Sequence, residues 1–440
     1  MIYLLFVLVL SIALLDYNIQ QKDMLSPTIW ACAVFLFSIF INILNVDRWG
    51  TSYSWHATFY VILSLMMLMC GELFVKRIKR FSLSDLKNES NSNNKYSEYS
   101  PIIVGNIAIF FIVLISIICL IVDLRIMIRI SGSNHVFSAL LDARHALSSG
   151  EEKRGFIGRV VLVINKSLAY IFIYITLHNK VLCKSKNKTS YIIPVAIFFV
   201  DAILSTGRTL FIRVIAYSFI VFVLFSMLKN GTKSNQILKI VIVAFGAMFL
   251  FMLIFSQLGK LFGKGIYNSA TDVFYYYSGS SIYLFNQYIV SGGKPDSSFF
   301  GEHTLYGIYN CLHYIFPSIE HNNNPALEMS YIPHWYSNIY TAFRRYYQDF
   351  GIIGLIIMPF ILGVFYGNLE TNAYSREDSD WKIILFAYSI YPIIEMSIEE
   401  RFLVNYLSFS TAFELTLLYL LFRFVNASTL KKNKKDGISI

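Results

Sequence analysis

The stretch Ala57-Thr-Phe-Tyr-Val-Ile-Leu-Ser-Leu-Met-Met-Leu-Met-Cys-Gly-Glu-Leu-Phe-Val75, closed by Lys76-Arg-Ile-Lys-Arg80, decides the fold class. An apolar run of this length crosses the hydrocarbon core of a bilayer as one helix. The basic group at its end marks the side that stays in the cytoplasm. Similar blocks recur at Met1–Leu15, Thr28–Leu44, Ile102–Leu120, Ile157–Leu177, Tyr191–Leu204, Thr209–Leu228, Ile240–Phe255, Ile352–Tyr366, Ile383–Met396 and Phe402–Phe422, eleven candidate spans with the first. The expected architecture is an all-α polytopic membrane protein with about 11 transmembrane helices (10–12). Composition agrees: 56% of the 440 residues are apolar, 15% are charged, and mean hydropathy is +0.55, against about 25% charged in soluble domains.

Lysine and arginine set the orientation. Lys76–Arg80 with Lys87 and Lys95, Lys180–Lys188, Lys229–Lys239 and Lys431–Lys435 are the basic connectors, and eleven spans place all four on one side. That side is expected to be the cytoplasm, with the N-terminus outside and the C-terminus inside. The chain then reads as a single integral membrane domain, residues 1–440, in a bacterial inner membrane. It carries a cytoplasmic loop at 76–100, periplasmic loops at 122–156 and 256–351, and a basic cytoplasmic tail at 423–440. The 256–351 loop is too long for an idle connector, and Tyr275, Tyr276, Tyr277, Tyr283, Phe299, Phe300, Tyr306 and Trp335 argue that it folds, as short helices at the membrane surface.

Several function classes lose support. The net charge of +10 is scattered through the connectors, which suits anionic lipid headgroups and the bilayer as partner, with no nucleic acid. The five cysteines and eight histidines show no metal or disulfide spacing, and Walker, GxGxxG and nucleophile-elbow motifs are lacking. No cofactor and no metal are expected. Asp378-Ser379-Asp380 reads as a solvated turn, and Met1–Leu15 as a retained first helix.

With this topology the basic residues divide by type. Cytoplasmic segments hold seventeen lysines and four arginines; outer segments hold ten arginines (Arg48, Arg125, Arg129, Arg144, Arg154, Arg159, Arg208, Arg344, Arg345, Arg401) and four lysines. Lysine suffices for topology, whereas the guanidinium fork binds phosphate oxygens in pairs and keeps its charge. An outer-leaflet phosphate or pyrophosphate substrate explains the bias. Pairing with Asp47, Asp123, Glu151, Glu152 or Asp349, or with headgroups, is the plainer alternative for any single arginine. Inside the spans Lys166, Asp201, Arg213, Glu395 and Glu414 are costly in lipid and are expected to face a polar interior.

The sharpest constellation is Asn338-Ile-Tyr-Thr-Ala-Phe-Arg-Arg-Tyr-Tyr-Gln-Asp-Phe-Gly351. Read as a helix, it puts Asn338, Thr341, Arg345 and Asp349 on one face, with Arg344 and Tyr340 on an adjacent stripe. A surface helix with an Arg345–Asp349 pair and an aromatic belt is the bland reading. Together with Leu25-Ser-Pro27, Thr206-Gly-Arg-Thr209, Tyr276-Tyr-Ser-Gly-Ser280 and Phe300-Gly-Glu302, this stretch resembles the oligosaccharide repeat-unit polymerase (Wzy, O-antigen polymerase) family along most of the chain.

The resemblance implies a GT-C-like membrane glycosyltransferase, independent of nucleotide and metal. Such an enzyme transfers a growing glycan from undecaprenyl pyrophosphate onto a new lipid-linked repeat unit at the outer face, making O-antigen or capsular polysaccharide. It also implies a separate chain-length regulator as partner. On this reading Arg344, Arg345 and Arg208 hold the donor pyrophosphate, while Arg144 and Arg154 hold the second lipid-linked oligosaccharide. Asp349, His334 or Glu399 serves as base, and Tyr340, Trp335 and Asn338 contact sugar. An O-antigen ligase and a lipid-linked oligosaccharide flippase are the alternatives.

Overall fold

The computed structural model describes residues 1–50, 52–79, 99–132, 142–143, 146, 154–204, 208–230, 270–322, 326–374 and 379–435. The eighth expected span, Ile240–Phe255, the Ser205–Gly207 turn and Arg144 lie outside the described residues. Among the described residues, seven helices are long and apolar enough to cross a membrane: Ile2–Ile19, Pro27–Leu44, Trp55–Ile78, Asn106–Ser131, Gly155–Leu182, Leu210–Lys229 and Ala342–Tyr374. The chain is a mostly helical, multi-pass membrane protein. It divides into two compact units, Met1–Asn91 with Gly231–Thr411, and Ser92–Asn230 with Ala412–Ile440.

The first unit contains α1 (Ile2–Ile19), α2 (Pro27–Leu44) and α3 (Trp55–Ile78). Ser26 and Ser54 begin α2 and α3 by accepting the backbone N–H of Ile29 and Ala57, and Pro27 at the first helical position costs no hydrogen bond. Lys76 and Arg77 end α3, complementing its dipole.

The second unit contains α4 (Asn106–Ser131), α5 (Gly155–Leu177), α6 (Ile192–Leu204) and α7 (Arg208–Asn230). Helix α4 runs well past the expected end at Leu120, because Asp123 is buried and paired with Arg154 rather than solvated. Lys166 pairs with Glu414, and Asn165 donates to Asp201 at 3.0 Å. Three of the intramembrane ionisable groups picked from the sequence thus have polar partners.

The first unit resumes with α8 (Ala270–Val290), α9 (Tyr306–Ile315), a hairpin of β1 (Ser330–Ile332) and β2 (Trp335–Ser337), α10 (Ala342–Tyr374) and α11 (Ser379–Ser389). Helix α12 (Phe409–Lys435) follows a π-helical turn at Phe402–Tyr406. The hairpin corrects the all-α expectation. Ile332 pairs with Trp335 across a two-residue turn, and His334 takes φ 67° there, the positive value that follows proline in a type II turn. The last two expected spans are broken: Ser379–Ser389 gives way to a single turn at Tyr391–Ile394, and Phe402–Phe422 opens with the π-helical turn.

Two packing seams position the candidate site. Helices α3 and α10 approach through glycine. A Cβ at Gly71 would lie 2.1 Å from the Phe360 carbonyl oxygen, and one at Gly363 would lie 2.1 Å from that of Leu68. Small residues are what allow helix backbones this close in a membrane. Helix α8 lies on α2, where Asn42 donates to the Gly279 carbonyl at 2.6 Å. Trp49, Phe274, Tyr276, Leu284, Ile332 and Tyr340 form one buried core there, so the hairpin and the start of α10 are anchored on α2 and α8.

Candidate functional site

Helix α10 is two helices in one. Gly351 adopts φ 60° and ψ −143° inside it, a region open to glycine and costly for other residues. The kink separates a polar segment, Ala342–Phe350, from the apolar length that follows. The helix begins at Ala342, so exposed Asn338 lies before it rather than on its face. The hairpin runs to Ser337, whose hydroxyl takes the Ile339 N–H, and the Ala342 N–H goes to the Met396 carbonyl at 3.0 Å.

Arg344 and Arg345 are each 2% exposed. The Arg344 guanidinium carbon lies 3.3 Å from the Tyr288 ring centre and 5.3 Å from that of Tyr340, a cation held over aromatic faces. Its fork reaches Glu328 at 2.8 Å and the Gln348 side-chain oxygen. That contact fixes the amide orientation, so the Gln348 nitrogen donates to His303 Nε2 at 3.0 Å. The Arg344 Nε is buried with no hydrogen-bond partner among the described residues, as are the hydroxyls of Thr341 and Thr304. Buried donors without a partner are rare in folded proteins, and each calls for an explanation.

Arg345 donates to the His303 carbonyl at 3.1 Å, and its other arm lies 3.9 Å from Glu399. Asp349, one turn on, accepts the N–H groups of His303 and Thr304. The shared face expected for Arg345 and Asp349 therefore grips both sides of one turn. That turn needs Gly301 at φ 73°, where a Cβ would strike Leu305 at 2.6 Å.

The counter-charges differ in their burial. Glu328 keeps 51% of its side chain exposed and Glu399 keeps 32%. Burial acts to raise the Glu328 carboxyl, but Arg344 and the hydrogen bonds from Arg344 and Tyr340 hold it below the usual carboxylate value. Glu400 is fully enclosed; burial pushes it up, against the N–H groups of Leu403 and Val404. It accepts from Phe402, Leu403 and Val404 N–H and from the Tyr346 hydroxyl at 3.1 Å, which makes it the clasp of the π-helical turn. Burial pushes the Tyr340 phenol up to about 12, with Glu328 beside it, so it stays a donor.

The structure thus brings Arg345 and Asp349 onto residues 303 and 304, with Glu399 beside Arg345 and Tyr340 beside Arg344. Trp335 packs on Tyr276, with ring centres 4.8 Å apart and planes at 7°, as part of the α2–α8 core. His334 sits in the exposed hairpin turn, and its ring takes no hydrogen-bond partner among the described residues. In the second unit, Arg154 holds both oxygens of Asp123, the pairing weighed as the plainer alternative. Arg208 opens α7, with its side chain outside the described residues.

Sequence reading missed Glu328, His303, Gln348 and Tyr288. Gln348 is inside the quoted stretch; Glu328 and His303 sit in an aperiodic segment and Tyr288 on α8, where no spacing ties them to Arg344. Compared with protein-family models, with curated proteins and with solved structures, the chain matches none.

Proposed function

We propose that this protein is a membrane glycosyltransferase that joins undecaprenyl-pyrophosphate-linked oligosaccharide repeat units into O-antigen or capsular polysaccharide. The observation that carries the reading is the adjacent pair Arg344–Arg345, buried at the kinked start of a membrane helix, with partners open to solvent. Guanidinium groups suit the phosphates of a pyrophosphate, whose oxygens they bind in pairs. Glu328 and Glu399 then act as placeholders that the incoming anion displaces, and Arg344 Nε with the Thr341 hydroxyl offers further unused donors.

Pyrophosphate is already a good leaving group, so charge stabilisation as the glycosidic bond breaks is the main requirement. Preorganised arginines supply it without metal or nucleotide. The base that takes the acceptor hydroxyl proton is Glu399, in this reading. Asp349 is engaged with two backbone N–H groups, whereas Glu399 is partly open and held by Arg401 at 2.6 Å.

The site belongs on the outer face of the inner membrane, in a GT-C-like arrangement of eleven spans with the N-terminus outside and a chain-length regulator as partner. Tag accessibility of the 256–351 segment from outside tests the orientation. The function is tested by the surface glycan of a strain lacking the gene. A ladder that collapses to a single repeat on its acceptor is expected. Long polymer stranded on the carrier lipid would indicate a ligase instead, and single repeats accumulating inside would indicate a flippase.

A further inference from the structure

A second polar cluster lies in the same unit, where α1, α2, α3 and the far end of α10 meet. Asp16, Asp23, Glu72 and Glu370 are all fully buried there, and the cation among them is Lys76. Lys76 Nζ lies 2.9 Å from Glu72, 2.8 Å from Glu370 and 3.5 Å from Asp23, and it donates to the Gln20 side-chain oxygen. Its three hydrogens are therefore committed. Four carboxyl groups face one ammonium in a closed space, and buried charge of one sign is relieved by taking up protons.

The oxygen contacts locate them. Ser26 Oγ lies 2.6 Å from Asp16 Oδ2 and 3.0 Å from Glu72 Oε2, yet a hydroxyl has one proton to give. Glu72 already accepts from Thr28 N–H at 3.1 Å, from the Thr28 hydroxyl at 2.7 Å and from Lys76, the surroundings of an anion. The extra proton thus belongs to Asp16, which donates to Ser26 while Ser26 donates to Glu72.

Glu370 supplies the independent sign. Fully buried, it has the Lys76 ammonium 2.8 Å from one oxygen and accepts no hydroxyl, amide or backbone N–H among the described residues, and its carboxyl lies in hydrogen-bond reach of Asp23. Two carboxylates cannot bond each other unless one carries a proton. Asp23 is already an acceptor, taking the Tyr374 hydroxyl at 2.8 Å and the Leu25 N–H at 3.0 Å. The arrangement is no metal cage, since no group of three or more His, Cys, Asp or Glu fit to hold a metal ion occurs among the described residues.

We infer that this cluster is a proton-binding site, with one proton on Asp16, hydrogen-bonded through Ser26 to Glu72, and another on Glu370 where it faces Asp23. The remaining titratable groups that face it are the Cys32 thiol from α2 and the Tyr374 phenol. Lys79 turns away to Thr371 and Asn372, with Lys382 of α11 near it. The protons tie the loop after α1 to α3 and α10, so their release loosens four helix ends together. The folded chain then holds protons that the unfolded chain gives up at neutral pH, and stability falls as pH rises.

The test uses the full-length protein in detergent micelles, followed by infrared difference spectroscopy and thermal unfolding. The wild type is expected to show a protonated-carboxyl C=O band at neutral pH that is lost in part in Asp16→Asn and in part in Glu370→Gln. Both amides imitate a neutral acid that never loses its proton, so both variants are expected to match the wild-type Tm below about pH 4 and to lie above it by neutral pH, where the wild type has declined. Glu72→Gln, which removes an anion, is expected to lower Tm. A wild type without the band, a band untouched by both substitutions, or a collapse of both amide variants would overturn the inference. The wild-type spectrum stands as evidence whether or not any variant folds.

Discussion

Helix α10 carries ionisable groups of opposite sign at its two ends, and they are managed in opposite ways. Before the Gly351 kink two arginines are buried while Glu328 and Glu399 stay partly in water. Beyond it Glu370 joins three other carboxyls and Lys76 in a region closed on every side. A buried charge whose partner is open to solvent can exchange that partner for a ligand at modest cost. One whose partners are all enclosed can change only by gaining or losing a proton, or by breaking the structure. The first arrangement suits a binding site, the second a proton-sensitive clasp.

The hardest test of this contrast is Lys76→Met. It leaves four buried carboxyls with no cation at their centre, and breaking a buried ionic cluster from one side costs about 3–5 kcal/mol. A large fall in Tm in micelles is expected, with partial recovery as the pH is lowered and the carboxyls neutralise. A Tm close to wild type would mean that the cluster is less closed than its geometry indicates. Next in size is Arg345→Ala, expected to lower polymer formation by about 10²–10³-fold, the usual effect of removing one preorganised charge-stabilising donor. Normal polymer length and yield in that variant would remove the arginine pair from the chemistry.

The two ends of α10 were not equally legible in the sequence. Arg344, Arg345 and Asp349 stood out because a polar helical face breaks into an apolar block, and Gly351 marked the join. The acid cluster is hidden in the sequence for a physical reason: three of its members lie just beyond the ends of apolar blocks, and Glu72 inside Ala57–Val75 has no partner within its own block. Asp16 falls just past Leu15, Lys76 just past Val75 and Glu370 just past Tyr366, so they counted as connectors. In the structure α1 runs to Ile19, α3 to Ile78 and α10 to Tyr374, because these charges satisfy one another and need no water. Lys76 served as an orientation signal when it is a buried partner of Glu72 and Glu370. Glu328 and His303 were unreadable because their link to Arg344 is made by the fold of an aperiodic segment, with no spacing to announce it.

Asp349 sharpens the division of labour inside the arginine site. As the acceptor of two backbone N–H groups, it fixes the turn at His303 and Thr304. Asp349→Asn is expected to cost about 1.5–3 kcal/mol of stability, the worth of hydrogen bonds to a charged acceptor, while the pH profile of polymer formation keeps its shape. If the variant folded normally, with its acid limb gone from that profile, Asp349 rather than Glu399 would be the base.

Glu328 gives the smallest effect and the finest discrimination. Its carboxyl sits below the usual value of 4.5, as burial is outweighed by Arg344 and the hydrogen bonds from Arg344 and Tyr340. A depressed carboxyl pKa adds stability that is complete above the unfolded value and is lost as pH falls through the folded one. Half of the side chain is exposed, so solvent screens the pair and its worth at neutral pH is under about 1 kcal/mol. Glu328→Gln should therefore lower Tm slightly at neutral pH, with the gap closing below pH 4.5 and shrinking in high salt. The same substitution removes the carboxylate that a pyrophosphate must displace from Arg344. Binding of inorganic pyrophosphate, measured by calorimetry on the purified protein, should tighten as stability drops. A variant that loses stability and pyrophosphate affinity together would mark Glu328 as a support for the arginine rather than a placeholder. The two ends of α10 would then both be structural.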